Sequence, residues 1–192
     1  MASNEDTFAR LVSLAVHDLR TPLATVSGFA RTLQRTDLGN PQNQYLAMMV
    51  AASDQLADLL DDLGLAARIE SGRWEPNLQE VDTLELAEAA AEPVEGAHAS
   101  GYGEIVRIDR DAAETALRLL AACAIRHGGI SEVTLAVDGA VVALEPVTEA
   151  ARPILLREQL RDLGAAVAAP IVSALGATIE VQGRRLLVRF VR

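Results

Sequence analysis

From Phe8 onward the apolar positions fall at Phe8, Val12, Ala15, Leu19, Pro22, Val26, Phe29 and Leu33, with steps that alternate four and three. That heptad seam predicts a long helix packed in a bundle. The stretch Asp37-Leu38-Gly39-Asn40-Pro41 then stops it. Gly39 suits a C-terminal cap, Asn40 an N-cap, and Pro41 the first position of a following helix. A second seam runs through Leu46, Met49, Ser53, Leu56, Leu60, Leu63 and Ala67. Two antiparallel helices joined by a short turn make a hairpin, which alone buries too little apolar surface. Two such hairpins from two chains would close a four-helix bundle, so a homodimer is expected.

From Leu78 the pattern changes to mixed strands and helices. Residues 104–108 read as a short strand. Residues 111–126 carry a helical stripe of Ala113, Ala116, Leu117, Leu120, Cys123 and Ala124. Residues 132–137 and 140–144 flank Asp138-Gly139, a hairpin-turn signal. Residues 163–175 predict a helix with a break at Pro170, and residues 178–181 and 185–191 predict strands around Gly183. The order strand, helix, two strands, helix, two strands describes an α+β sandwich with its helices on one face.

Composition narrows the function. The 192 residues are 50% hydrophobic but only 3% aromatic, so the core must be built from Leu, Val, Ile and Ala. The formal net charge of -10 argues against nucleic acid or an anionic membrane, both of which need Lys and Arg clusters. One cysteine, Cys123, permits no internal disulfide and fits a reducing cytoplasm. No run of about 18 apolar residues predicts a membrane span, and the N-terminus lacks a basic-then-apolar leader pattern. No sensor domain is expected before residue 8 or beyond residue 192.

The candidate chemistry lies in His17-Asp18-Leu19-Arg20-Thr21-Pro22-Leu23. His17 falls between seam positions Ala15 and Leu19, roughly 160 to 200° from each at about 100° per residue, so it points away from the core. Ser13, Arg20, Thr21, Ala24 and Gly28 share its face at helical spacings. Small side chains there leave room for another protein to approach. Pro22 has no N–H, so the helix should bend one turn from His17. A solvated histidine on a proline-containing helix satisfies the same pattern.

The wording of that box resembles the phosphoacceptor box of two-component sensor histidine kinases. The likeness extends from Phe8 to Gly28-Phe29, and Ala67-Arg68-Ile69-Glu70-Ser71-Gly72 resembles the exit of the family's second helix. The resemblance implies that His17 is the phosphoacceptor. A neutral imidazole, with a free pKa of about 6.5, is a good nucleophile near neutrality. Asp18 would fix the ring tautomer and stabilise the developing imidazolium. Thr21 takes the position that in the family helps place a water for dephosphorylation of the partner; an ordinary exposed threonine is the other reading. Arg20 reads as a phosphate or carboxylate partner or as a solvated charge. Ser13, Leu14, Arg20, Ala24 and Gly28 form the expected partner-docking surface, with Leu14 placed there by analogy.

The second half resembles the family's ATP-binding domain with its working parts removed. Residues 119–127 line up with the helix that carries the family's Mg²⁺-binding asparagine, and Cys123 stands at that position. A thiol is a poor Mg²⁺ ligand, and a buried small apolar residue is the better reading of Cys123. Where the family has a glycine-containing adenine-reading turn, this chain has Leu144-Glu145-Pro146-Val147-Thr148-Glu149. The following segment carries Pro153 and no glycine until Gly164, which resembles one survivor of the family's second glycine motif. Glu145 and Glu149 would repel a triphosphate. His127, before Gly128-Gly129, reads as a cation at a helix C-terminus, and His98 as a solvated loop residue. No Cys/His cluster of metal-site spacing is legible.

The expected fold is therefore multidomain, α and α+β. Residues 1–73 form a dimerisation and phosphoacceptor hairpin, and residues 74–192 a degenerate histidine-kinase-type α/β sandwich. The expected function is that of the dimeric histidine phosphotransferases, which pass a phosphoryl group on His17 between aspartates of response-regulator receiver domains, with a hybrid histidine kinase a further partner. Neither ATP nor a metal would be bound by this chain, Mg²⁺ residing on the receiver. Two alternatives stand beside it: an autokinase with a diverged ATP site, and a non-catalytic adaptor or inhibitor of a kinase or response regulator.

Overall fold

The computed structural model describes residues 4–35 and 40–191; the side chains of residues 4–11, 13–15, 17, 18, 22, 40 and 41 lie outside that description. The chain forms two compact units, Met1–Arg73 and Trp74–Arg192.

The first unit is a hairpin of two 31-residue helices, α1 (Asn4–Gln34) and α2 (Asn40–Glu70). α1 runs unbroken through Pro22. The expected turn at residues 37–39 lies outside the described residues, and Asn40 is already helical. The single seam read for each helix resolves into two lines. Val16 and Ala30 are buried within the hairpin, and Val12, Leu23 and Ser27 half-buried. Leu19, Val26, Phe29 and Leu33, all on the predicted seam of α1, are exposed in the single chain. On α2, Leu46, Ser53 and Ala67 are buried, whereas Met49 and Leu56 are exposed. The physical reason is that a bundle helix needs two adjoining apolar lines, one for its hairpin mate and one for the remaining pair, and steps of three and four fit both.

The second unit follows the order β1 (Leu78–Asp82), α3 (Thr83–Ala91), β2 (Ala97–Gly103), β3 (Ile105–Asp109), α4 (Arg110–Gly128), β4 (Val133–Gly139), β5 (Val141–Glu145), α5 (Arg152–Leu155), α6 (Leu163–Ala174), β6 (Thr178–Gln182) and β7 (Arg185–Arg189). Five strands form a mixed sheet in the order β2-β4-β5-β7-β6, with β2 parallel to β4 and the other neighbours antiparallel. β1 and β3 form a separate antiparallel pair. On one sheet face Val133, Leu135, Val137, Val142, Leu144, Leu186 and Val188 are buried. Against them the Ala-rich stripe of α4, with Ala113, Ala116, Leu117, Leu120 and Ala124, completes the core. Small side chains let that helix lie close to its neighbours.

Four expectations need correction. The β4–β5 loop is Gly139-Ala140, because Asp138 pairs with Val141; the glycine takes the left-handed conformation (φ 59°). α6 continues through Pro170, since Val167, Ala168, Ile171 and Val172 are all buried around it and outweigh one lost hydrogen bond. His98 is exposed, but it sits in strand β2 rather than a loop. β1, α3, β2 and α5 are further elements beyond those read from the sequence.

Candidate functional site

On α1 the face shared by Thr21, Ala24, Thr25 and Gly28 is exposed. A methyl group added at Gly28 would meet nothing within 4 Å, so this strip is open and low in relief. The side chains of Ser13, Leu14, His17 and Asp18 lie outside the described residues, although the backbone of each belongs to α1. Arg20, expected on the docking face, instead donates to Asp61 of α2, and Arg31 donates to Asp54. Both pairs are about half exposed and contribute little stability, about 0–1 kcal/mol each, but they cross-link the two helices and fix their register. The Arg20 charge is committed to the hairpin in the free chain because Asp61 stands opposite it.

Around the corner of α1, Leu19, Leu23, Val26, Met49, Leu56 and Leu60 line an apolar groove of about 510 Å³ between the two helices. Almost no polar atom lines it. This face is the one the sequence assigned to a second hairpin.

In the second unit, α4 and α6 meet at a polar cluster. Asp162 is the N-cap of α6, and its Oδ1 accepts the N–H of Ala165 at 2.9 Å. Its Oδ2 accepts from Arg126 and faces His127 Nε2 at 3.0 Å. The Asp162 side chain is only 2% exposed. Burial pushes its carboxyl pKa up, but the Ala165 N–H, His127 and Arg126 outweigh that, and the net displacement is downward from 3.8. Cys123, one turn before His127 on α4, is fully buried. Burial and the nearby Asp162 charge push its thiol up to about 12, against the opposing pull of Arg126. Gly164 packs here too: a Cβ on it would lie 3.0 Å from Leu119 Cδ2 and 3.1 Å from Asp162 Oδ1. Glycine at this position lets α6 begin close against α4.

Between β5 and α6 the chain does not form an open glycine-rich loop. Ala151, Ile154 and Leu155 around the short helix α5 are buried. Glu145 is paired with Arg185, so its charge is partly compensated.

The depressed carboxyl gives a stability prediction. A carboxylate whose folded pKa lies below its unfolded value stabilises the fold above the unfolded value, and that contribution is lost as pH falls through the folded pKa. The melting temperature should therefore fall as pH drops below about 4. Asp162→Asn should melt lower than wild type at neutral pH and show a shallower acid limb. A wild-type and an Asp162→Asn limb of equal steepness would contradict the charge pairing.

Residues 9–72 match the His Kinase A (phospho-acceptor) domain. The probable sensor histidine kinase TcrY of Mycobacterium tuberculosis is 33% identical over 101 residues, which is 52% of this chain and 20% of that protein. Full-length ShkA in complex with AMPPNP superposes with a TM-score of 0.67 at 23% identity, over 93% of this chain and 44% of that one. The histidine kinase AdeS of Acinetobacter baumannii gives a TM-score of 0.55 at 20% identity, over 90% and 94%. These two likenesses are of fold. The chain as a whole has a histidine kinase-like fold.

The curated relatives are much longer; this chain spans about a fifth of the length of TcrY. Its hairpin is of the type used in two-component signalling. Among the described residues no helix is long and apolar enough to cross a membrane. The sequence reading of the histidine kinase-like fold missed Asp162, and with it the pairing to His127 and Arg126. The local sign was an aspartate directly before an apolar helix, an ordinary N-cap signal. Its partners stand 35 and 36 residues earlier, beyond the reach of any local pattern.

Proposed function

We propose that the chain is a histidine phosphotransferase that relays a phosphoryl group between receiver-domain aspartates on His17. In the forward step an imidazole nitrogen attacks the phosphorus of the aspartyl phosphate. The bond from phosphorus to the carboxyl oxygen breaks, a carboxylate leaves, and an N–P bond forms. Asp18 would hold the N–H of the other ring nitrogen. The receiver's own Mg²⁺ would offset charge on the transferring group. Thr21 would assist hydrolysis from the receiver, and the open strip of Thr21, Ala24, Thr25 and Gly28, with Ser13 and Leu14, would take the receiver's surface. The homodimer would be built by the apolar groove.

The observation that carries the relay over an autokinase is the Asp162 carboxylate. A helix N-terminus is a natural phosphate site because its free N–H groups and its dipole favour an anion. At α6 that place is taken by the chain's own anion, held by the Ala165 N–H, the Arg126 guanidinium and the His127 ring. A triphosphate would have to displace a carboxylate that is already paired, and no Mg²⁺-holding asparagine stands at Cys123. The packed α5 segment further favours a unit that keeps the kinase-like shape without a nucleotide.

Two measurements test this. Incubated with a phosphorylated receiver and Mg²⁺, the protein should take up label and pass it to a second receiver. Titrated with a non-hydrolysable ATP analogue and Mg²⁺, it should show no saturable binding up to about 1 mM, a weak limit of about -4 kcal/mol. Phosphohistidine formed from ATP in the absence of any other protein would replace the relay with an autokinase.

A further inference from the structure

We propose that Cys123, His127 and Asp162 form a binding site for a thiophilic divalent transition ion of the Zn²⁺ type. One ligand atom from each residue lies within 4.8 Å of the other two. Cys123 and His127 are four residues apart on α4 and so share one helix face. Asp162 is delivered from the start of α6, with Nε2 of His127 and Oδ2 of Asp162 3.0 Å apart.

A tetrahedral ion bound at about 2.0–2.3 Å sets neighbouring ligand atoms about 3.3–3.7 Å apart, so a shift of about 1 Å at most completes the triad. The donor set decides the class of metal. One sulfur, one imidazole nitrogen and one carboxylate oxygen suit Zn²⁺ or Co²⁺, whereas Mg²⁺ and Ca²⁺ require oxygens. On binding, the thiol proton leaves to solvent and the thiolate and carboxylate together neutralise the ion. Outer support is already in place, because Asp162 Oδ1 is fixed by the Ala165 N–H.

Access is one-sided. Cys123 is fully buried and the Asp162 side chain nearly so, while that of His127 is 25% exposed and that of Arg126 59% exposed. The Arg126 guanidinium sits on the carboxylate as an internal competitor for the ion. It can swing into solvent, leaving a fourth position for water. The site lies within the second unit, and its test needs no phosphotransfer.

The experiment is a Co²⁺ titration of the full chain after chelator treatment. The expected result is a near-ultraviolet sulfur-to-cobalt charge-transfer band with visible bands of tetrahedral Co²⁺, all erased by one equivalent of Zn²⁺. Cys123→Ser should remove the charge-transfer band. His127→Gln, at the partly exposed end of α4, should retain the fold by circular dichroism and lose at least about tenfold in affinity. Arg126→Gln should bind several-fold more tightly, since the competing cation is gone. His98→Gln should match wild type. Absence of the charge-transfer band in the folded wild-type protein, or equal Co²⁺ affinity in wild type and His127→Gln, overturns the site.

Discussion

His17→Ala should lower phosphoryl transfer from a phosphorylated receiver by at least about a thousandfold, to the level of the receiver's own hydrolysis. The loss is large because no other nitrogen nucleophile stands on that face among the described residues. Thr21 is a hydroxyl that gives a far weaker acceptor, and Arg20 is cationic and engaged with Asp61. The substitution itself is mild toward the fold. Alanine is the better helix former, and α1 is continuous over the position. Helix content and dimer mass should therefore be unchanged, which separates loss of chemistry from loss of structure. Thr21→Ala should still accept the phosphoryl group but slow its loss from the receiver. Label transferred to His17→Ala as fast as to wild type would end the relay reading. Transfer absent from wild type as well, with partner affinity unaffected by His17→Ala, would leave a binding role in its place.

How far the sequence carried can be seen from particular elements. The long helices were legible because steps of three and four persist from Val12 to Leu33 and from Leu46 to Ala67. Which of two apolar lines faces the hairpin mate was not, because both obey the same period. β4, β5, β6 and β7 were legible from β-branched runs punctuated by Gly139 and Gly183. β2 was invisible: Ala-His-Ala-Ser-Gly-Tyr-Gly has no β-branched residue, and it becomes a strand only by parallel pairing with β4. β1 has one buried residue, Val81, so no alternation announces it. At the α4–α6 cluster, Cys123 read correctly as a buried small residue, and the helix end at His127 was clear from the two glycines, Gly129 adopting φ 63°. What the chain brings to them across 35 residues could come only from the fold.

Leu56→Glu should convert the protein from dimer to monomer, with the dissociation constant raised at least about a thousandfold, or about 4 kcal/mol. In the single hairpin Leu19, Val26, Met49 and Leu56 each stand about half exposed around one groove. Burying the exposed half of such a side chain contributes about 1 kcal/mol. A two-fold axis doubles those contacts, and Phe29 and Leu33, also exposed on the predicted seam of α1, add to them. Glutamate at position 56 removes one contact from each chain and places two like charges in the closed bundle, where each lacks a cation and costs several kcal/mol. The hairpin itself should survive, because Val16, Ala30, Leu46 and Ala67 pack within one chain and are untouched. Ala24→Glu is the matching control: the same charge placed on the exposed strip beside Thr21 should leave the dimer intact and weaken receiver binding instead. Sedimentation equilibrium of the three proteins distinguishes these outcomes. A wild-type chain that sediments as a monomer at micromolar concentration, or a Leu56→Glu chain that stays dimeric, would show that the groove does not hold the second hairpin, and the apolar line on α1 would then need another occupant.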